Sequence, residues 1–170
     1  MSTLDTDVYL TRTAEADADE QFIQRWSPRA FAGVPLSQAD ADMLFEAARW
    51  SPSCFNSQPW RFIYGLKGTE DCDRLLSLLM DMNQIWAKEA GVLIAVVAKT
   101  TFDNGDPAPT YAFDTGSAWM ALALQAQQMG LASHAMWGFH HDQAPAALEL
   151  PDDYVVMAMV AIGEPGEIAA

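Results

Sequence analysis

Residues 51–64, Ser51-Pro-Ser-Cys-Phe-Asn-Ser-Gln-Pro-Trp-Arg-Phe-Ile-Tyr64, run from a helix stop through an amide-rich bend into a strand. Ser51 precedes a proline and is pushed out of helical backbone angles, so a helix ends there. Trp60 to Tyr64 is aromatic and β-branched, the composition of a strand. The bend between them carries Ser53, Asn56, Ser57 and Gln58. Amide side chains both donate and accept hydrogen bonds. Such a bend either recognises a planar heterocycle with mixed edges or turns its polar groups onto its own backbone.

Upstream, Pro35-Leu36-Ser37 opens the helix: Ser37 caps, Leu36 staples, and Leu36, Met43, Leu44, Ala47 and Ala48 fall on one face. Downstream, Gly65–Gly68 turns and Thr69 caps a helix through Leu79. Asn83–Ala90 is a shorter helix, and the apolar run Gly91–Lys99 predicts a central strand. After a polar loop, Thr101–Pro109, a helix from Thr110 to Met129 closes at Gly130. It is apolar on nearly every side, which predicts deep burial or an interface. Leu131–Met136 reads as a strand, Gln143–Leu148 as a helix, Tyr154–Ile162 as a final strand and residues 164–170 as a tail. Helices first, then strands separated by helices, predict an α+β or α/β fold. Residues 1–20 form an acidic arm in which Arg12 is the lone base, and residues 21–170 form one domain.

The chain has 170 residues, 51% hydrophobic and 19% charged, with a formal net charge of −14. That balance disfavours a nucleic-acid partner and an anionic membrane surface, both of which need clustered Lys and Arg. No apolar run approaches the length of a membrane span, and the N-terminus shows no secretory pattern. Cys54 and Cys72 give neither a disulfide framework nor a C-x-x-C motif, so a cytoplasmic setting is expected. The ten glycines spell neither G-x-G-x-x-G nor a P-loop, and no G-x-S-x-G or H-E-x-x-H occurs. His134, His140 and His141 read as packing or surface residues, and no metal is expected.

Basic residues are scarce, yet Arg25-Trp26-Ser27-Pro28-Arg29 holds two. The pair either clasps a phosphate through guanidinium and hydroxyl donors or simply balances the acidic arm. R-x-S-x-R followed about 25 residues on by P-S-x-x-N-x-Q-P-W and a strand resembles the FMN-dependent nitroreductase family. Asn83-Gln-Ile-Trp86, Asp114-Thr-Gly-Ser-Ala118, Ser133-His-Ala-Met-Trp-Gly-Phe139 and Val160-Ala-Ile-Gly-Glu-Pro165 resemble later segments of that family. The likeness runs from about Arg25 to Pro165.

The resemblance implies an α+β fold with a central mixed, mostly antiparallel sheet flanked by helices, in an intertwined homodimer with FMN at the subunit interface. By similarity, Arg25, Trp26 and Ser27 take the FMN phosphate and ribityl chain, and Arg29 the flavin N(1)/O(2) edge. Pro52, Ser53, Cys54, Asn56 and Gln58 reach FMN from the partner subunit. Asn83 meets the pyrimidine edge, and the Trp137 and Gly138 backbone N–H groups face N(5). The resemblance further implies ping-pong hydride transfer from NAD(P)H to a nitroaromatic, quinone or similar acceptor. No side chain is then catalytic, because the flavin carries the chemistry. Two departures stand out. Residues 163–170 contain no Lys or Arg, where the family usually places one near the phosphate. The 101–110 segment leaves little room for a lid helix. The first departure is the main support for an alternative, a non-catalytic flavin-binding module for storage or sensing.

Overall fold

The computed structural model describes residues 12–167. Its elements are α1 (Glu20–Gln24), α2 (Gln38–Arg49), a 3₁₀ turn (Cys54–Asn56), β1 (Trp60–Leu66), α3 (Glu70–Ser77), α4 (Asp81–Ala87), β2 (Val92–Lys99), α5 (Tyr111–Gln128), β3 (Ala132–Met136), α6 (Ala144–Ala147) and β4 (Tyr154–Gly163). The sheet has the order β1-β2-β4-β3. Every pairing is antiparallel, so the expected parallel component does not occur among the described residues. The first eleven residues of the expected acidic arm lie outside the described residues.

β2 is buried from Val92 to Ala98, as a strand covered on both faces must be. Leu93, Ala95 and Val97 pack with Leu75, Leu79 and Phe139 beneath α3, α4 and α6. Val92, Ile94 and Val96 pack on the other side with Leu44 and Ala48 of α2 and Ala118, Leu122 and Ala126 of α5. Alternating side chains thus feed two cores from one strand. Two glycines let the chain close over the end of the sheet. A Cβ on Gly91 would lie 2.6 Å from the Val34 carbonyl, and one on Gly163 would lie 2.7 Å from the Gly91 nitrogen.

α2 begins as expected at Ser37, whose hydroxyl accepts from the Asp40 N–H while the Asp40 carboxylate accepts from the Ser37 N–H. The Ser37 hydroxyl and the Ser37 N–H both donate to the Asp40 carboxylate, and these two bonds hold its carboxyl below the usual carboxylate range. The predicted apolar face needs one correction. Ala41, Leu44 and Ala48 face the core, but Met43 is exposed. The second apolar side of α2, with Ala47 and Trp50, instead runs beside α5. α5 divides in the same way: Ala118, Leu122, Ala123 and Ala126 are buried, whereas Phe113 is 81% exposed. β1 runs two residues into the expected turn, because Gly65 and Leu66 continue the ladder opposite Leu93 and Val92.

Candidate functional site

Arg25 is the C-cap of α1, and the chain from there to Phe31 is irregular. The segment is fixed from two sides. Phe31 bridges Pro165, with Ala32 donating to the Glu164 carbonyl and Gly166 donating to the Ala30 carbonyl. The Pro28 carbonyl contacts Nδ1 of His134 on β3 at 2.9 Å. His134 in turn packs on the Trp86 ring with centroids 4.7 Å apart, and Trp86 stacks on Phe31. This buried scaffold holds the half-buried Arg25 and the exposed Ser27 and Arg29 in place. Arg25 reaches the Ser27 hydroxyl at 3.4 Å. Among the described residues neither Arg25 nor Arg29 has a carboxylate partner. Burial and the nearby Arg12 guanidinium weigh against the Arg25 charge and lower its pKa.

α4 approaches the same edge of the sheet. Asn83 donates through Nδ2 to the Gly138 carbonyl at 2.9 Å, and the Met80 N–H donates to that carbonyl too. The Asn83 side-chain oxygen is uncommitted among the described residues. A Cβ on Gly138 would lie 2.6 Å from Asn83 Nδ2, so a larger residue there would push that amide out of place. The N–H groups of Trp137 and Gly138 donate to no other backbone group among the described residues. Trp137 is 70% exposed and packs on the His141 ring.

The structure therefore brings Arg25, Trp26, Ser27 and Arg29 to the β3 edge, together with Asn83, Trp137 and Gly138. It does not bring the 52–58 bend there. That bend precedes β1, the opposite edge strand, three inter-strand spacings or roughly 14 Å across the sheet. Its backbone is strained: Phe55, Asn56 and Gln58 all have φ near +50°, where residues other than glycine are disfavoured. The bend is held by the Asp114 carboxylate, which accepts from the Cys54 N–H at 3.1 Å and the Thr110 hydroxyl at 2.9 Å. Ser53 Oγ accepts from the Gln58 N–H, so part of the loop's polarity serves its own backbone. The Asn56 and Gln58 amides make no hydrogen bond among the described residues, and both residues are exposed.

Two hollows flank the bend. One of ≈ 520 Å³ lies between Phe55–Ser57 and the 101–107 loop, so the segment too short for a lid helix still walls this side. The other is a shallow apolar groove of ≈ 720 Å³ between α2 and α5, lined by Trp50, Pro52, Phe113, Gly116, Met120 and Leu124 among others. Neither cysteine is paired. Burial pushes the Cys72 thiol up, away from reactivity. His134 and His141 serve packing and hydrogen bonding, and among the described residues no cluster of metal-ligating side chains occurs.

Two contributors were not foreseen from the sequence. Asp114 carried a readable signal: it is an acidic residue, 4% exposed, in the first turn of an otherwise apolar helix. Arg12, whose guanidinium lies on the Arg25 carbonyl, carried none beyond its scarcity.

The sequence profile of the Nitroreductase family matches residues 23–85 and 68–164, and this chain belongs to that family. A solved oxidoreductase containing FMN is 41% identical, with a TM-score of 0.88 over 92% of this chain and 81% of its own. The NADH dehydrogenase of Thermus thermophilus is 26% identical over 180 residues, 89% of this chain and 88% of its own. A nitroreductase-like protein of Exiguobacterium sibiricum, solved in complex with FMN, shares the fold. Its TM-score is 0.76 at 22% identity, over 93% of this chain and 95% of its own.

Proposed function

We propose that this chain is an FMN-dependent oxidoreductase that draws on NAD(P)H, one domain from residue 21 onward, working as a homodimer. The observation that carries this reading is the β3 edge. There a base-rich segment without carboxylate partners, the Asn83 amide and two uncommitted backbone N–H groups lie on one packed scaffold. That donor set fits FMN: cations and a hydroxyl for a phosphate, an amide for the pyrimidine edge, and N–H groups for a ring nitrogen. The missing side chain at Gly138 leaves room for the Asn83 amide beside that backbone.

When bound, FMN supplies a ring that takes hydride from NAD(P)H and yields it to a nitroaromatic, quinone or similar acceptor in a ping-pong cycle. The chain's own work is electrostatic and positional. Arg25 and Ser27 hold the phosphate end, with Trp26 packed beside them. Arg29 sets a positive charge near N(1)/O(2), where it favours the anionic reduced ring. Asn83 orients the pyrimidine edge, and the Trp137 and Gly138 N–H groups fix N(5). Pro52, Ser53, Cys54, Asn56 and Gln58 sit too far away to serve the same chain's flavin, so a second copy donates them. The α2–α5 groove, with Phe113 and Met120 exposed beside it, is the apolar surface on which that copy seats.

Among the described residues no helix is long and apolar enough to cross a membrane. The unpaired cysteines support a cytoplasmic location. Purified protein should carry the visible absorbance of oxidised flavin, and anaerobic NADH or NADPH should bleach it. Colourless protein that takes up no FMN would refute the reading. Colour that neither nicotinamide bleaches would leave the storage or sensing module, which the lack of a base in residues 163–170 favours.

A further inference from the structure

The arm contributes one side chain to the base-rich segment. One guanidinium nitrogen of Arg12 donates to the Ile23 carbonyl at 2.9 Å and to the Arg25 carbonyl at 2.8 Å. This fixes its position against the C-terminal end of α1, where a cation is favoured by the helix dipole. The other N–H groups of Arg12 have no partner among the described residues, and neither Arg12 nor Arg25 has a carboxylate partner there. Two guanidinium groups are thus held close in a chain of net charge −14, and among the described residues no carboxylate comes to them. Burial and then the Arg12 charge both weigh against the Arg25 charge, and an anion between the two guanidinium groups would relieve the second of these. Among the described residues the neighbouring segment 163–167, which runs past Ala30–Ala32, carries Glu164 and Glu167 and no base.

We propose that Arg12 is a third cation of the phosphate site, clipped to α1 through one nitrogen and offering its remaining donors to the phosphate beside Arg25 and Ser27. This rests on the FMN reading above. It adds that the arm is part of the cofactor site and that its contribution is specific to the phosphate.

The test compares FMN with riboflavin, which lacks the phosphate, on full-length flavin-stripped protein, with affinity read by quenching of flavin fluorescence. Arg12→Ala should weaken FMN about tenfold, the scale of one charge-assisted contact. It should leave riboflavin affinity unchanged, and the thermal midpoint reads the lost clip to α1 separately. Arg12→Lys, which keeps the charge, should recover most of the preference for FMN. Equal weakening of both flavins would overturn the proposal and leave Arg12 as a helix cap. Unchanged FMN affinity would overturn it also. If the unmutated protein binds neither flavin, the cofactor reading itself falls and takes this one with it.

Discussion

The segment Arg25–Phe31 and the bend Ser53–Gln58 hold their polar groups in opposite ways. The first has an unremarkable backbone, locked by aromatic stacking and the 164–166 tail, and presents donors with little of its own to satisfy. The second stores strain in three residues at positive φ and depends on one buried carboxylate to hold its shape. A cradle for a charged end group needs fixed, unsatisfied donors on a rigid backing. A loop that contributes to a site on another molecule needs to project, and a strained, anchored turn projects its amides outward. Under the proposed dimer the difference has a use: one half would hold its own chain's ligand and the other would reach across.

The strongest way to break that comparison is to separate the halves without disturbing either fold. Gly116 lies on the groove side of α5, and a Cβ there meets nothing within 4 Å. Gly116→Arg should therefore be accepted by the isolated chain, with a helix-propensity gain of up to about 1 kcal/mol. It places a charge in the proposed seat. Sedimentation should show monomers in place of dimers, with flavin lost and secondary structure intact. A variant that stays dimeric and yellow would show that the bend is not delivered across this groove.

The anchor comes next. Asp114→Ala leaves the Cys54 N–H and the Thr110 hydroxyl without their acceptor. A part-buried hydrogen bond to a charged group contributes about 1.5–3 kcal/mol, so urea denaturation should show a loss of about 2–3 kcal/mol. Asp114→Asn, which keeps an acceptor, should lose less. No change in either would mean that the bend holds its own shape. A subtler contrast comes from Arg29, which is exposed and for which the proposed role is in ring electronics. Arg29→Gln should make the flavin midpoint potential more negative by about 30 mV, equivalent to about 1.4 kcal/mol for two electrons. Folding stability should stay within about 0.5 kcal/mol, as for other surface changes. An unmoved potential would remove Arg29 from the ring edge.

Much of this was legible in the sequence where local chemistry decides. Ser37 and Thr69 cap α2 and α3 as their side chains dictate, and the β-branched run of β2 read as the central strand it forms. The segments around Asn83 and Gly138 were legible as pieces, 55 residues apart, but not the amide-to-carbonyl bond that joins them. What escaped was set by packing between distant segments. Met43 matches the core periodicity of α2 yet faces outward, while Ala41, Leu44 and Ala48 take the core side. Asp114 looked like the start of a helix, and its role needs the bend sixty residues upstream. Arg12 depends on the arm folding back onto α1, which no spacing rule encodes.

The smallest effect is also the cleanest reading of strain. Phe55 has φ 52° and ψ 22°, is 91% exposed, and makes one edge contact with Phe102 at 6.0 Å. The left-handed region costs an ordinary residue roughly 1–2 kcal/mol, and asparagine less, because its side chain can bond locally. The lost aromatic contact offsets part of that, at about 0.5 kcal/mol. Phe55→Asn should therefore stabilise the chain by about 0.5 kcal/mol in denaturant titration. A stability loss would mean that the Phe102 contact outweighs the backbone cost. The flavin measurement on the same variant separates shape from contact. Unchanged retention would mean that the bend works through its amides alone. Weaker retention at higher stability would assign the exposed Phe55 ring a place against the partner's cofactor, and the strain would then be the cost of putting it there.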